Sequence, residues 1–261
     1  MKAICSFFIC SMLLATGASA ELLSQTYAIE QVREIHAGHA SKLEIRQGDS
    51  ESLTVEGSAE ALEHVRVNLK NGVLRLESRQ PSKGFWGWIG LSSGNGDSVT
   101  FYIQVTELEE LHLGGASSAN LAALKGNNLD LHLNGASNAK LGQLQLEQLG
   151  LDLSGASRIN LEKLQARRIK GQISGASQFE IKTPSQSPRV DVNVSGASKF
   201  YGRQLSVEKA KVDVSGASYA EVQVSEQLEA HASGASSIDY YGQPRMQQHS
   251  SGASNIRHKG D

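Results

Sequence analysis

The chain has 261 residues, of which 25 are lysine or arginine and 27 are aspartate or glutamate, so its formal net charge is −2. A balance this close to neutral gives no electrostatic reason to expect binding to nucleic acid or to an anionic membrane surface. The two cysteines, Cys5 and Cys10, both lie in the first twenty residues, so a chain that loses this segment has no disulfide, thiolate metal site or cysteine nucleophile.

Those first twenty residues, MKAICSFFICSMLLATGASA, have the pattern of a secretory signal peptide. Lys2 precedes an apolar run from Ala3 to Ala15, and small residues follow up to Ala20. We expect cleavage between Ala20 and Glu21, and export of the mature chain to the periplasm, the cell surface or the medium. The apolar run is too short to span a membrane, and no later stretch approaches the required length, so we predict no membrane span in the mature chain.

Residues 27–110 already have the rhythm of β-strands. Apolar and polar residues alternate in KLEIRQGDSESLTVEG and HVRVNLKNGVLRLES, and SVTFYIQV continues the pattern. Asn71-Gly72 between two alternating runs predicts a tight hairpin turn. No linker composition separates this region from the rest, so we predict one domain over residues 21–261, in which residues 27–110 form divergent first coils or a cap.

The segment PSKGFWGWIGLSSGNGDS, residues 81–98, interrupts this rhythm. It is rich in glycine and serine, and it contains Phe85, Trp86 and Trp88. Aromatic side chains in a long loop either pack onto the core or are presented to a partner, and tryptophan rings stack well on sugar rings. These three aromatics are therefore candidate partner-binding residues, and a cap over the end of the fold is the alternative.

From residue 111 onward the chain repeats itself about every twenty residues. After the signal peptide, Gly-Ala-Ser occurs eight times, at spacings of 20, 20, 20, 21, 20, 18 and 18 residues. Self-similarity at such a period indicates a solenoid. The positions two before, four after and six after each glycine are mostly apolar and are separated by polar residues, which is the alternation of strands. A leucine-rich repeat would also need a helical segment in each repeat, and these twenty residues are too few to contain one, so that fold is excluded.

We therefore predict an all-β fold, a single-stranded right-handed parallel β-helix with coils of about 20 residues. Two strands flank each Gly-Ala-Ser, a third segment closes the circuit, and successive coils stack at about 4.8 Å. The right-handed form is favoured because crossovers between parallel strands overwhelmingly take that hand. The apolar columns fade at Ser250 and His258, as expected of a terminal coil that faces water.

The Gly-Ala-Ser tripeptide is predicted to be a structural corner. A corner that recurs in every coil needs a φ that only glycine adopts without strain, and serines at the corner can pass hydrogen bonds from coil to coil. The direction of these serines stays open, because a bulge at the glycine reverses the alternation. Eight equivalent serines have no unique base and acid around them, so we predict no nucleophile. The predicted corner ladder is Gly115, Ser117, Gly135, Ser137, Gly155, Ser157, Gly175, Ser177, Gly196, Ser198, Gly216, Ser218, Gly234, Ser236, Gly252 and Ser254.

The outward column three residues before each glycine is rich in histidine. It contains His112, His132, Asp152, Gln172, Asn193, Asp213, His231 and His249. Neighbouring histidines in adjacent coils could hold a divalent metal or respond to pH. Two histidines are too few for a closed zinc site, and Asp152 lies several ångströms further along. A solvated polar ladder is the preferred interpretation, metal binding by these histidines is the alternative, and no cofactor is predicted.

Catalysis is not predicted either. Many β-helices act on polysaccharides, and a glycosidase needs two carboxyl groups at a defined separation. The acids Asp152, Asp213, Glu180 and Glu221 are scattered two or more coils apart. Glu221 and Asp239 are neighbours in one column, and a solvated face explains that pair equally well.

The segments KLEIRQGDSESLTVEG, NGVLRLES and VTFYIQVTELEELHLGGASSANL, followed by Gly-Ala-Ser coils, resemble the bacterial head GIN-domain family of autotransporter-adhesin head domains. The resemblance covers essentially the whole mature chain. It implies a secreted or envelope-associated β-helical protein and supplies no catalytic residues.

We therefore predict an exported, non-catalytic β-helical envelope protein with a binding, adhesion or scaffolding role. Its expected partner is an envelope polysaccharide or a surface protein. Two alternatives stay open: a polysaccharide-processing lyase or hydrolase, and a structural rod that self-associates through the unpaired strand edges at its ends.

Overall fold

The computed structural model describes residues 22–78 and 99–260. Of these described residues 68% are in strands and 2% in a helix, and they form a β-solenoid of about 7 turns with coils about 20 residues apart. The predicted solenoid and its coil length are therefore confirmed. None of the helical structure in the described ranges is long and apolar enough to cross a membrane. The predicted signal peptide and the aromatic segment at 81–98 lie outside the described residues.

Strands follow one another along the described chain, and one short helix stands between two of them. They are β1 (Leu23–Tyr27), β2 (Glu34–Gly38), β3 (Lys42–Gln47), β4 (Ser52–Gly57), α1 (Ala59–Glu63), β5 (Val65–Lys70), β6 (Val73–Ser78), β7 (Thr100–Val105), β8 (Glu110–Leu113), β9 (Ser118–Lys125), β10 (Asn128–Leu133), β11 (Asn138–Leu153), β12 (Arg158–Ile173), β13 (Gln178–Ile181), β14 (Ser185–Val194), β15 (Lys199–Val214), β16 (Tyr219–Ala232), β17 (Ser237–Tyr241), β18 (Arg245–Ser250) and β19 (Asn255–His258).

The inward columns predicted from the repeat form the core of the solenoid. Leu133 and Ala139, two before and four after a corner glycine, are at most 1% exposed, and Phe179 stacks on Phe200 in the next coil with ring centroids 5.4 Å apart. Consecutive coils pair in parallel and in register, as β11 does with β12 over nearly its whole length. In the last coil Ile256 is only partly buried, so the core ends there as the sequence predicts.

The corners from Gly135 to Gly252 favour glycine for two reasons. The eight corner glycines have φ between +70° and +77°, the left-handed region that side chains disfavour. In addition, a Cβ on Gly155 would lie 2.4 Å from the carbonyl oxygen of Gly135 in the preceding coil. That oxygen accepts a 2.7 Å hydrogen bond from the N–H of Ala156, so it cannot move away.

The corner serines point inward, which answers the question that the sequence leaves open. From Ser117 to Ser236 they are at most 3% exposed. The hydroxyl of Ser137 donates to the carbonyl oxygen of Asn134 at 2.7 Å, which closes its own corner. Further along the ladder, the N–H of Ser177 donates to Oγ of Ser198 in the next coil at 3.2 Å. The serines thus hold each corner and link it to its neighbours.

The region before the repeats contains both a divergent coil and antiparallel strands. β2 pairs in parallel with β8, and β3 pairs in parallel with β9, so these two strands extend the solenoid by one coil. β5 and β6 form the antiparallel hairpin predicted at Asn71-Gly72. Residues 48–51 join β3 to β4, but β7 lies between these two strands and pairs with both. One hydrophobic cluster runs from Ile29 to Ile238.

Candidate functional site

The histidine-rich column is a continuous ladder along one face of the solenoid. His112 of β8 is in register with His132 of β10, and Asp152 of β11 follows in the next coil. The ladder begins one coil earlier than the sequence pattern indicates, because His36 of β2 is in register with His112. Arg75 of β6 lies beyond His36 in the same row.

At this end of the ladder three imidazole rings form a stack. The ring centroids of His36 and His112 lie 4.0 Å apart, and those of His112 and His132 lie 4.4 Å apart with an interplanar angle of 8°. Nε2 of His112 is in close contact with Oε1 of Glu110, and Nε2 of His132 lies 3.2 Å from the same oxygen. Two imidazoles from adjacent coils therefore converge on one carboxylate.

Glu110, His112 and His132 together form a compact polar cluster, which we call the ladder triad. Each residue offers one possible metal-ligand atom, and these three atoms lie within 4.8 Å of one another. The three side chains are between 29% and 35% exposed, so an ion in solution can reach them. In the described ranges, this is the one group of three such residues that comes together in this way.

His36 is the member of the stack that has unsatisfied hydrogen-bonding capacity. Its Nε2 is buried without a hydrogen-bond partner, and the contact with Oε2 of Glu34 at 3.5 Å does not reach hydrogen-bond geometry. Burial lowers the pKa of His36, the nearby His112 and Arg75 lower it further, and Glu34 opposes this shift without cancelling it. The neutral ring is therefore favoured at this position.

The other two predicted histidines are arranged differently. Nδ1 of His231 lies 2.7 Å from Oδ1 of Asp213 in the preceding coil. The rings of His231 and His249 are 6.4 Å apart and nearly perpendicular, at 85°. This end of the ladder is a hydrogen-bonded polar surface, and it does not gather a third ligand.

Sequence reasoning missed Glu110 and His36, although a feature of the sequence could have identified each of them. Glu110 stands two residues before His112, and the alternation of a strand puts residues two apart on the same face. The segment from His36 to Ser41 matches the segment from His112 to Ser117, but His39 stands where the repeat has glycine. A search for Gly-Ala-Ser therefore passes over this coil, in which His39 itself adopts a φ of 59°.

A second surface near the C-terminal coils combines tyrosines with acids. We call Tyr201, Tyr219, Glu221, Asp239 and Tyr241 the tyrosine surface. The hydroxyl of Tyr219 donates to Oδ2 of Asp239 at 3.1 Å, and that of Tyr241 donates to Oε1 of Glu221 at 3.0 Å. The rings of Tyr201 and Tyr219 lie 5.7 Å apart. Burial, together with the nearby carboxylates, raises the pKa of Tyr219, so its hydroxyl stays a donor.

Glu221 and Asp239, the carboxyl pair considered for catalysis, lie in this surface and already accept hydrogen bonds from other side chains. Asp239 is only 5% exposed, so its interpretation as part of a solvated face is wrong. It accepts from Nε of Arg257 at 2.9 Å as well as from Tyr219, and Nζ of Lys259 lies 3.6 Å away. Glu221 accepts from Tyr241. Both acids are therefore engaged in contacts that hold the surface together.

The family described as "Putative auto-transporter adhesin, head GIN domain" matches residues 32–244. The chain belongs to this family. The match covers the divergent coil, the corner ladder up to the seventh glycine, the ladder triad and the tyrosine surface, and it confirms the resemblance seen in the sequence. No curated protein matches the chain in sequence.

Solved structures of low sequence identity have the same fold as this head GIN protein. A "putative adhesin" from Parabacteroides distasonis ATCC 8503 has a TM-score of 0.82 at 19% identity, and the match covers 92% of this chain and 98% of that one. A "putative lipid binding protein" from the same organism has a TM-score of 0.80 at 19% identity, covering 90% and 96%. A "putative adhesin" from Parabacteroides merdae ATCC 43184 has a TM-score of 0.78 at 16% identity, covering 92% and 96%.

Proposed function

We propose that this head GIN protein is exported and binds an extended polysaccharide of the cell envelope, as a non-catalytic adhesion or scaffolding protein. The family description and the neighbours described as adhesins support a binding role at the cell surface. The observation that carries the proposal is the tyrosine surface, in which aromatic rings and carboxylates lie side by side on neighbouring coils.

The tyrosine surface suits sugars because its rings are partly exposed and held in place. Tyr201, Tyr219 and Tyr241 are each partly exposed. Hydrogen bonds to carboxylates fix Tyr219 and Tyr241, and the guanidinium of Arg203 lies 4.5 Å from the ring centre of Tyr241. Rings fixed before binding lose little conformational entropy when a ligand stacks on them. The polar groups around them can accept and donate hydrogen bonds to sugar hydroxyls.

A binding role is preferred to hydrolysis because of how the carboxyl groups are used. A glycosidase keeps one carboxylic acid and one carboxylate free to exchange protons with the substrate. Here Asp239 is buried among Arg257, Lys259 and Tyr219, and Asp213 is in contact with His231. These contacts favour a structural role for Asp239 and Asp213 over a catalytic one.

The experiment is to measure binding of the purified protein to a panel of envelope polysaccharides and glycans. The test variant is Tyr201→Ala/Tyr241→Ala. Its matched control is Tyr102→Ala, because Tyr102 is 42% exposed on the same face, several coils away. We expect saturable binding that weakens at least tenfold in the double variant, since each lost stack costs about 1 kcal/mol, and that stays unchanged in the control.

A Trp86→Ala/Trp88→Ala variant tests the other predicted binding residues in the same assay. If only this variant loses binding, the binding site lies in residues 81–98, where Phe85 was predicted to bind the partner together with the two tryptophans. Absence of binding by the folded wild-type protein would contradict a polysaccharide partner and direct the search to surface proteins. Release of new reducing ends from any polysaccharide would favour the alternative of a processing enzyme.

A further inference from the structure

We propose that the ladder triad, Glu110, His112 and His132, binds a divalent transition metal, and that Zn²⁺ is the ion that its donor set fits. This inference goes beyond the proposed function and does not depend on it. It rests on the convergence of two imidazole nitrogens and one carboxylate oxygen from adjacent coils.

The geometry around Glu110 is that of two donors sharing one acceptor. Without a metal, His112 and His132 both direct Nε2 at Oε1 of Glu110, so each ring needs a proton on that nitrogen to make a hydrogen bond. A metal ion can take the place of these protons, and the same three atoms then become its ligands. The rings are stacked nearly parallel, so metal binding requires them to turn toward a common point, which their partial exposure allows.

The types of donor decide which ion fits. Zn²⁺ takes imidazole nitrogen and carboxylate oxygen at about 2.0–2.2 Å, and three protein ligands leave one tetrahedral position for water or for a group of a partner. Mg²⁺ and Ca²⁺ instead prefer sets made of oxygen atoms. Co²⁺, Ni²⁺ and Cu²⁺ also bind imidazole, and they serve as spectroscopic substitutes.

The surroundings of the triad support an ion at this position. Oδ2 of Asp152 lies 3.7 Å from Nδ1 of His132, where a small movement lets it accept the ring proton and orient the ligand. Glu34 and Asp130, in register with Glu110 on either side, add negative charge. On the other side of His112, the buried Nε2 of His36 lacks a hydrogen-bond partner, but His36 is not one of the three clustered residues.

The same column provides an internal control. His231 and His249 also occupy neighbouring coils, and Asp213 and Glu229 lie beside them. However, their rings are 6.4 Å apart at 85°, and His231 is already in contact with Asp213. We expect no comparable affinity there, although the local composition is similar.

The experiment uses purified protein without a histidine tag, stripped of metal with a chelator and then dialysed. Zn²⁺ binding is measured by calorimetry, and Co²⁺ binding by visible absorption, which reports tetrahedral coordination. We expect one ion per chain, with affinity at least tenfold weaker in His112→Ala, His132→Ala and Glu110→Gln. Asp152→Asn should weaken binding about tenfold, as the loss of an orienting partner does. His231→Ala and His249→Ala should bind as the wild type does.

Circular dichroism of each variant shows whether it folds, and His132→Asn serves as a milder substitution if the alanine variant does not. In the wild type, a saturating concentration of Zn²⁺ should also raise the melting temperature, since an ion that binds only the folded state stabilises it. The proposal is overturned if the wild type binds no Zn²⁺. It is equally overturned if binding persists in His112→Ala, or if His231→Ala lowers the affinity as much as the triad variants do.

Discussion

At the residue scale, one carbonyl oxygen of a corner explains why glycine stands at the same corner of the next coil. The carbonyl oxygen of Gly135 accepts the N–H of Ala156, and it lies where a Cβ at position 155 would have to be. Glycine at 155 therefore satisfies both the positive φ and the close approach. This contact recurs from Gly135 to Gly252, so glycine recurs at each of these corners, and the inward Ser157 closes its corner by donating to the carbonyl oxygen of Ser154.

Replacing one corner glycine tests this explanation. We expect Gly155→Ala to lower the free energy of unfolding by about 2–4 kcal/mol, because the left-handed conformation and the clash with the preceding coil both oppose a side chain. The measurement is chemical unfolding followed by circular dichroism. Gly126→Ala is the matched control, since its φ is not positive and its Cβ would meet only Leu146 at 3.9 Å. Equal effects at both positions would refute the assigned role of the corner carbonyl.

At the element scale, the coil length and the inward-facing positions could be predicted from the sequence, because strand alternation and the spacing of glycines are local properties. The inward columns and the Asn71-Gly72 hairpin were predicted from such signals. The pairing of β2 with β8 was not predicted, because these strands lie more than seventy residues apart. In addition, His39 stands where the Gly-Ala-Ser repeat has glycine. The ladder triad lies on β8 and β10, which pair in the register of the repeat, so the sequence predicted that its histidines are neighbours. The convergence of both rings on Glu110 depends on side-chain rotamers, which the repeat does not determine.

The last coil is the element that has a neighbour on one side only. β18 pairs with β16, and β19 pairs with β17, among the described strands. Asp239 of β17 attaches β19 through the side chain of Arg257, while Lys259 lies just beyond the strand. In a solenoid the stability of each coil depends mainly on its neighbours, so a contact of this kind acts locally.

We expect Asp239→Ala to loosen the last coil without unfolding the others. The substitution removes an acceptor shared by Arg257, Lys259 and Tyr219, at a cost of about 1–3 kcal/mol. Hydrogen exchange measured by mass spectrometry should become faster in residues 245–258 and stay slow in residues 138–173. Asp213→Ala removes a contact in an inner coil and should leave exchange in residues 245–258 unchanged. Faster exchange along the whole chain would contradict a local role.

At the scale of the whole molecule, the open question is whether the two ends of the solenoid associate. β18 near one end and β5 near the other each pair on one side only among the described strands, which leaves backbone groups free for another chain. Both of these strands have exposed basic residues: Arg245 on β18, and Arg66 and Lys70 on β5. Head-to-tail pairing would bring like charges together, and charged edge strands are a known defence against such pairing.

We therefore expect the wild-type protein to sediment as a monomer throughout the micromolar range. Arg245→Thr removes a charge from the edge and adds a residue that favours strands, so its apparent mass should rise with concentration. Arg189→Thr is the matched control, because Arg189 occupies the same outward row in an inner coil, where no edge is free. A wild-type mass that rises with concentration would instead favour the self-associating rod. The two edges would then be the interface, and the tyrosine surface would be repeated along a filament.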